Sequence, residues 1–308
     1  MMFLSIFVLG LLAQASFSYA SCGRRPGGTR IINGEEAVPN SWPWQLSLRV
    51  YGSHNCGASL LSPGWALTAA HCVQRSSNPA DYTLAAGAHR RVNDAHAQVL
   101  RVSQVISHKE FSMGHLRNDV TLLRLSAPVQ LSDKIGTICL PAHGDRAPAG
   151  GHCYISGWGR ISSSDLYKGA DKLKQSKVPV ADHQTCRRTN GYSVDEHSMI
   201  CAGGAGSSAC NGDSGGPLQC LENGRWVLRG VASWVTAKTC PGNTFSVYAR
   251  VSSYINWIEG IQAGGSGGNG GNGGGSSCQD YHRNCPQMKR FCSNRGVRNK
   301  CPKTCRVC

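Results

Sequence analysis

The chain has 308 residues and a net charge of +15, from 32 basic and 17 acidic side chains. With 40% hydrophobic and 16% charged residues, it is a globular sequence long enough for one large or two medium domains with a core that needs no metal, which excludes a largely disordered chain. Sixteen cysteines are an even count; disulfides in an oxidising compartment are favoured over zinc, because no CxxC is followed by a second and only Cys305 and Cys308 are close enough to suggest one.

The first segment, MMFLSIFVLGLLAQASFSYA, is apolar from Phe3 to Leu12 and ends in Ser18-Tyr19-Ala20. It reads as a secretory signal peptide over residues 1–20, although its start carries no Lys or Arg. A membrane anchor fares worse, since the apolar part is far short of the ~20 residues a spanning helix needs. A secreted, extracellular protein with no membrane span is therefore expected.

Beyond Ile31 come short alternating apolar runs broken by Gly, Pro, Asn and Ser: WQLSLRV, TLAAGAH, QVLRVSQVISH, VTLLRL, HCYISGW, WVLRGVASWV and SVYARV. This period-2 pattern predicts an all-β sandwich or barrel domain. The stretch from Ser252 to Ile261 has apolar residues at helical spacing and predicts a short closing helix capped by Ser252.

Residues 263–277, AGGSGGNGGNGGGSS, have nothing to bury and read as a flexible linker. Its reach is roughly 20 Å r.m.s. and about 48 Å when extended, so the tail at 278–308 is expected to be tethered. The tail sets eight Lys or Arg against Asp280 alone. A nucleic-acid partner would need a basic face interleaved with stacking aromatics, and only Tyr281 and Phe291 are available; none is expected. So short a segment cannot build a sufficient core, so its six cysteines are expected to form three bridges, for which fifteen pairings exist.

Chemistry concentrates in three motifs. Thr68-Ala69-Ala70-His71-Cys72 offers an imidazole, and Asn118-Asp119-Val120-Thr121-Leu122-Leu123 sets a carboxylate at the head of an apolar strand, where an unpaired charge is costly. Ser208-Ala209-Cys210-Asn211-Gly212-Asp213-Ser214-Gly215-Gly216-Pro217 boxes a serine among glycines. Alone, that serine reads as a polar turn and His71 as a satisfied core histidine. Together, in the order His, Asp, Ser, they resemble the chymotrypsin family of serine endopeptidases, and the resemblance runs from residue 31 to 262.

The resemblance implies two antiparallel six-stranded β-barrels with a catalytic triad of His71, Asp119 and Ser214 in the cleft. Amides of Gly212 and Ser214 would form the oxyanion hole. Arg30-Ile31-Ile32-Asn33-Gly34 matches an activation junction, which implies a propeptide over residues 21–30, cleavage after Arg30 by a trypsin-like protease, and pairing of the new Ile31 amine with Asp213. It also implies the bridges Cys56–Cys72, Cys153–Cys220, Cys186–Cys201, Cys210–Cys240 and Cys22–Cys139, the last tethering the propeptide after cleavage.

Ser208, six residues before the nucleophile, falls at the base of the family's primary pocket, where it cannot pair with Arg or Lys as a carboxylate would. The wall segment Ser233-Trp234-Val235 is expected to bind an extended substrate backbone. Val235 and Ser246 stand where open pockets carry glycine, and the stretch from Ser233 to Cys240 is one residue longer than in chymotrypsin, as in elastase. The expectation is cleavage after small or medium aliphatic residues, with chymotrypsin-like acceptance of Phe as the alternative.

The tail resembles the ShK-type domain of sea-anemone toxins, through its six cysteines and the ending Cys301-Pro302-Lys303-Thr304-Cys305-Arg306-Val307-Cys308. The resemblance implies Cys278–Cys308, Cys285–Cys301 and Cys292–Cys305. The Lys-Tyr pair of channel blockers is missing after Cys292, so targeting to an acidic surface or matrix ligand is preferred over channel block. A toxin or adhesion protein acting through the tail is the competing class. No calcium loop, nucleotide motif or glycosylation sequon is present, and neither cofactor nor metal is expected; the partners expected are protein or peptide substrates and the activating protease, with the chain a monomer.

Overall fold

The computed structural model describes residues 22–264, except 27–34, 148–150, 152, 162–164, 166, 167, 192, 237–239 and 241. The chain divides into two units, Met1–Gly265 and Ser266–Cys308, and the described residues belong to the first. The signal segment, Arg30, Ile31, the linker beyond residue 264 and all tail bridges lie outside the described residues.

Six strands close into an antiparallel barrel in the order β2-β3-β4-β7-β6-β5. They are β2 (Gln45–Val50), β3 (Ser53–Ser62), β4 (Trp65–Thr68), β5 (Tyr82–Ala86), β6 (Gln98–Ser107) and β7 (Thr121–Leu125). Closure removes sheet edges. The interior fills with Leu46, Leu48, Leu60, Leu67, Leu84 and Leu122, all fully buried.

The remaining strands are β1 (Glu35–Glu36), β8 (Cys153–Gly157), β9 (Lys174–Val178), β10 (Val180–Ala181), β11 (Met199–Gly203), β12 (Pro217–Glu222), β13 (Arg225–Val235) and β14 (Phe245–Arg250). They form one sheet in the order β1-β9-β8-β12-β13-β14-β11-β10. The expected all-β class is present, but the second half is an open eight-stranded half-barrel. Two dipeptide strands, β1 and β10, end the sheet, and no pairing joins them.

The expected closing helix is α2 (Ile255–Gln262), with Ile255, Ile258 and Ile261 buried on one face. Its start corrects the expectation. Val251–Ser253 is a separate 3-10 turn, Ser252 is buried without a hydrogen bond from its hydroxyl, and Tyr254 occupies the cap position. An earlier helix, α1 (His183–Asn190), is capped by Asp182, whose carboxylate accepts from the Thr185 amide.

A buried polar chain joins the halves. Trp44 Nε1 donates to Gln219 Oε1, Gln219 Nε2 to Ser156 Oγ at 3.0 Å, and Ser156 Oγ to Gln45 Oε1 at 2.7 Å. A network satisfied in this way fixes the register of barrel against sheet, and so the cleft between them.

Candidate active site

The loop carrying Ser214 is fastened to both halves. Gly57 N donates to Ser214 O at 2.7 Å from the barrel, and Gly215 N donates to Ala232 O at 2.7 Å in the sheet. Gly215 has φ +75°, and a Cβ there would collide with Thr68 Oγ1 and Gly57 O. Only glycine fits so close an approach, which accounts for the residue after Ser214.

His71 sits in a 3-10 turn (Ala70–Val73) that leaves barrel strand β4, pinned beside it by the Cys56–Cys72 disulfide. Asp119 is fully buried and precedes β7. Its Oδ1 accepts from the His71 amide at 2.9 Å and its Oδ2 from His71 Nδ1 at 2.7 Å. Ser233 Oγ adds a donor to Oδ2 at 2.5 Å. The wall residue Ser233 thus also supports the carboxylate, a contact that its place in the sequence does not announce.

His71 and Ser214 line one cavity of about 380 Å³ with Trp234, Val235 and Ser246. No hydrogen bond joins Ser214 Oγ to His71 among the described residues, a looseness common in unliganded sites. Neither the Gly212 nor the Ser214 amide has an acceptor among the described residues, whereas the intervening Asp213 amide donates to Cys210 O at 2.9 Å. Both N–H groups are therefore unspent donors, and Ser214 lies on the cavity lining. An imidazole held by a carboxylate and facing a hydroxyl across the same cavity can take a proton from it and return it.

Val235 and Ser246 are register partners across β13 and β14. Ser246 is almost fully buried, and its hydroxyl donates to Ala209 O at 3.3 Å. Ser208 lines a neighbouring cavity of about 550 Å³ together with Asp213 and Arg160, and its neighbour Ala209 lines the one that holds His71. The Ser208 hydroxyl donates to Cys240 O at 3.5 Å.

Asp213 lies in a glycine cradle. Its Oδ1 accepts from Gly159 N at 2.8 Å and its Oδ2 from Cys210 N at 3.0 Å. A Cβ at Gly157 or Gly159 would overlap the carboxylate. Loss of surrounding water pushes its carboxyl up to about 6, against the pull of the two amides. No cation pairs with it among the described residues.

His54 was invisible to motif reading. Its Nδ1 meets Ser47 Oγ at 2.8 Å and its Nε2 meets Gly212 O at 3.2 Å, tying the barrel to the oxyanion loop. Desolvation lowers it to about 4, with the Gly212 carbonyl opposing and Arg91 and Arg49 reinforcing the drop. It is neutral near pH 7, so Nε2 donates to the carbonyl and Nδ1 accepts from Ser47. Cys56, His71 and Cys72 cluster within 4.8 Å, but both sulfurs are in one disulfide, leaving no thiolate for a metal.

Among the described residues five disulfides are formed: Cys22–Cys139, Cys56–Cys72, Cys153–Cys220, Cys186–Cys201 and Cys210–Cys240.

A closed barrel against a half-barrel, with an Asp–His pair and a serine in the cavity between them, defines a serine protease. Residues 31–258 match the family model described as Trypsin, and residues 277–308 match the one described as ShK domain-like. The chain belongs to the trypsin family of serine endopeptidases, of chymotrypsin type, and carries a C-terminal ShK-like domain; its substrates are proteins.

Proposed function

We propose that the chain is a secreted zymogen, cut after Arg30 by a trypsin-like protease, whose mature domain hydrolyses peptide bonds that follow small or medium aliphatic residues. The observation carrying this specificity is the pairing of Val235 with Ser246. Two side chains enter one cross-section of the cavity lined by His71 and Ser214. Ser208, at the family's pocket-base position though lining the adjoining cavity, offers no charge to an Arg or Lys side chain.

In this reading Ser214 Oγ attacks the scissile carbonyl while His71 Nε2 takes its proton. Asp119 holds His71 in the tautomer with hydrogen on Nδ1 and stabilises the imidazolium. The amides of Gly212 and Ser214 receive the oxyanion, and His71 then protonates the leaving amine. Activation is supported by Asp213, a desolvated carboxylate with two amide donors and room beside it for an ammonium. The Ile31 amine would supply that charge.

Chymotrypsin-like acceptance of Phe is the second reading, favoured by the bond that holds the Ser246 hydroxyl to the wall at Ala209. The basic tail is assigned the recognition of an acidic surface or matrix ligand, and the enzyme acts as a monomer. The test is cleavage of peptides varying only the residue before the scissile bond (Ala, Val, Leu, Phe, Arg), after trypsin activation and trypsin removal. Ala, Val or Leu should lead Phe by about tenfold. Dominant Phe gives the second reading, and turnover no greater than that of Ser214→Ala transfers the function to the tail.

A further inference from the structure

Residues 22–26 precede the activation junction and contain two arginines, Arg24 and Arg25, each a conceivable site for the activating protease. They do not hang free. Cys22 is bonded to Cys139, Gly23 N donates to Thr137 O at 2.7 Å, and Trp226 N donates to Gly23 O at 3.0 Å. Gly23 has φ +67°, and a Cβ there would stand 2.5 Å from Trp226 O, so this step of the chain admits only glycine without displacement.

Arg25 then turns into an aromatic corner. Its guanidinium carbon lies 3.9 Å from the Trp42 ring centroid and 5.6 Å from that of Trp226. The two rings stand 4.8 Å apart at 84°. Arg25 Nε donates to Ser41 O at 2.6 Å, and Trp42 is itself locked by its Nε1 bond to Gln175 Oε1 at 2.7 Å. Burial lowers the guanidinium to about 10, with Tyr154 opposing, so it stays charged at neutral pH. A delocalised cation on a desolvated indole face is at the strong end of such contacts.

We infer that Trp42, Trp226 and the Ser41 carbonyl form a guanidinium receptor filled by the chain's own Arg25, and that this docking steers processing past Arg24 and Arg25 to Arg30. The inference rests on the activation cleavage proposed above. Proteases read a substrate as an extended strand on both sides of the scissile bond. The Arg24–Arg25 bond lies between a left-handed glycine and a docked side chain, so cutting it demands that the stub first come away by local opening. The Arg25–Pro26 bond is a tertiary amide with a fixed ring, a poor candidate for that geometry. Arg24 itself is exposed and available for its own pocket contact; the obstruction lies in the backbone and in Arg25.

The experiment is a trypsin time course on the full chain, read by mass spectrometry with and without reduction. Cutting at Arg30 alone releases nothing until Cys22–Cys139 is reduced. Cutting at both Arg24 and Arg30 frees the hexapeptide of residues 25–30 without reduction. In the native sequence this hexapeptide should appear at least about tenfold more slowly than the Arg30 cut. Arg25→Gln should raise its rate about tenfold relative to the Arg30 cut. Gly23→Ala, which lifts the stub and leaves every arginine in place, should do the same. Equal cutting at Arg24 and Arg30 in the native chain, or no increase in either variant, overturns the inference. Absence of Arg30 cleavage, or cleavage without gain of peptidase activity, overturns the activation reading instead.

Discussion

Asp119 and Asp213 are both withdrawn from water, and the protein treats them in opposite ways. Asp119 is met by three donors, the His71 amide, His71 Nδ1 and Ser233 Oγ, and one of these can become a cation. Asp213 has two amides and a cavity. A desolvated carboxylate is stable as an anion only when donors or a charge replace its water. One carboxylate therefore has its full set of donors, and the other is the receptor for the Ile31 amine in the activation proposed above.

The largest expected effect comes from breaking the complete site. Asp119→Asn keeps the shape but lets the amide donate to His71 Nδ1, which selects the wrong tautomer. The loss in kcat should be on the order of 10⁴; that figure is the established scale for this exchange in the family, not one obtained from this chain. Peptide turnover by the trypsin-treated variant measures it, and a loss under tenfold would remove Asp119 from its role.

Breaking the incomplete site has a two-sided outcome. In the cleaved enzyme, Asp213→Asn deletes the partner of the Ile31 amine, and activity should fall on the order of 10²–10³. In the uncleaved chain the same exchange removes a desolvated charge but turns an NH2 group toward the Gly159 or Cys210 amide, so it carries a pH-independent loss and a gain that appears only as pH rises. The folded Asp213 carboxyl titrates at about 6 against 3.8, so the fold holds the proton more tightly than the unfolded chain. Its contribution is fully present below pH 3.8 and is lost as pH rises through about 6. Allowing for access through the cavity, the loss is about 1–2 kcal/mol. His54, lowered from 6.5 to about 4, works the other way: its contribution is present above 6.5 and lost as pH falls through 4. Urea unfolding at pH 4 and pH 7 therefore has to be compared between the native chain and Asp213→Asn, where the His54 effect cancels. The variant should gain on the native chain by about 1–2 kcal/mol between pH 4 and pH 7, and a difference that does not change with pH would show that Asp213 is already compensated.

What the sequence could disclose follows the same division. The contacts of Asp119 were partly legible, because the chemistry demands a particular residue inside a short motif and TAAHC, NDVTLL and GDSGGP carry one each. Val235 and Ser246 were singled out one by one, as positions where open pockets carry glycine; that they face each other across adjacent strands was not legible. The Gly157 and Gly159 cradle, the His54 bonds and the Ser233 hydroxyl were not legible either, because each joins residues far apart in the chain through backbone geometry that no local pattern encodes. Strands show the same limit. β6 appeared as an alternating run and exposes Arg101 between the buried Leu100 and Val102, whereas β3 buries every residue from Cys56 to Leu61 and loses the period-2 signal. α1 buries only Cys186 and Asn190, too little for a helical stripe. Ser252 looked like a cap because its residue type suits one, but packing buried it inside a 3-10 turn and the helix starts at Ile255.

The smallest effect tests whether the third donor to Asp119 is needed. Ser233→Ala removes a hydrogen bond to a charged group, while both His71 bonds to Asp119 remain. A bond of that kind contributes about 1.5 kcal/mol, or roughly a tenfold fall in kcat. KM should change little, because the Ser233 backbone still lines the cavity. Ser233→Thr, which keeps the hydroxyl, should restore most of the rate if its methyl group fits. A fall in kcat without rescue would assign the loss to packing of the wall; no fall at all would mean that the two His71 contacts alone complete the site. In that case the contrast with Asp213 reduces to one feature, the presence at Asp119 of a donor that can become a cation.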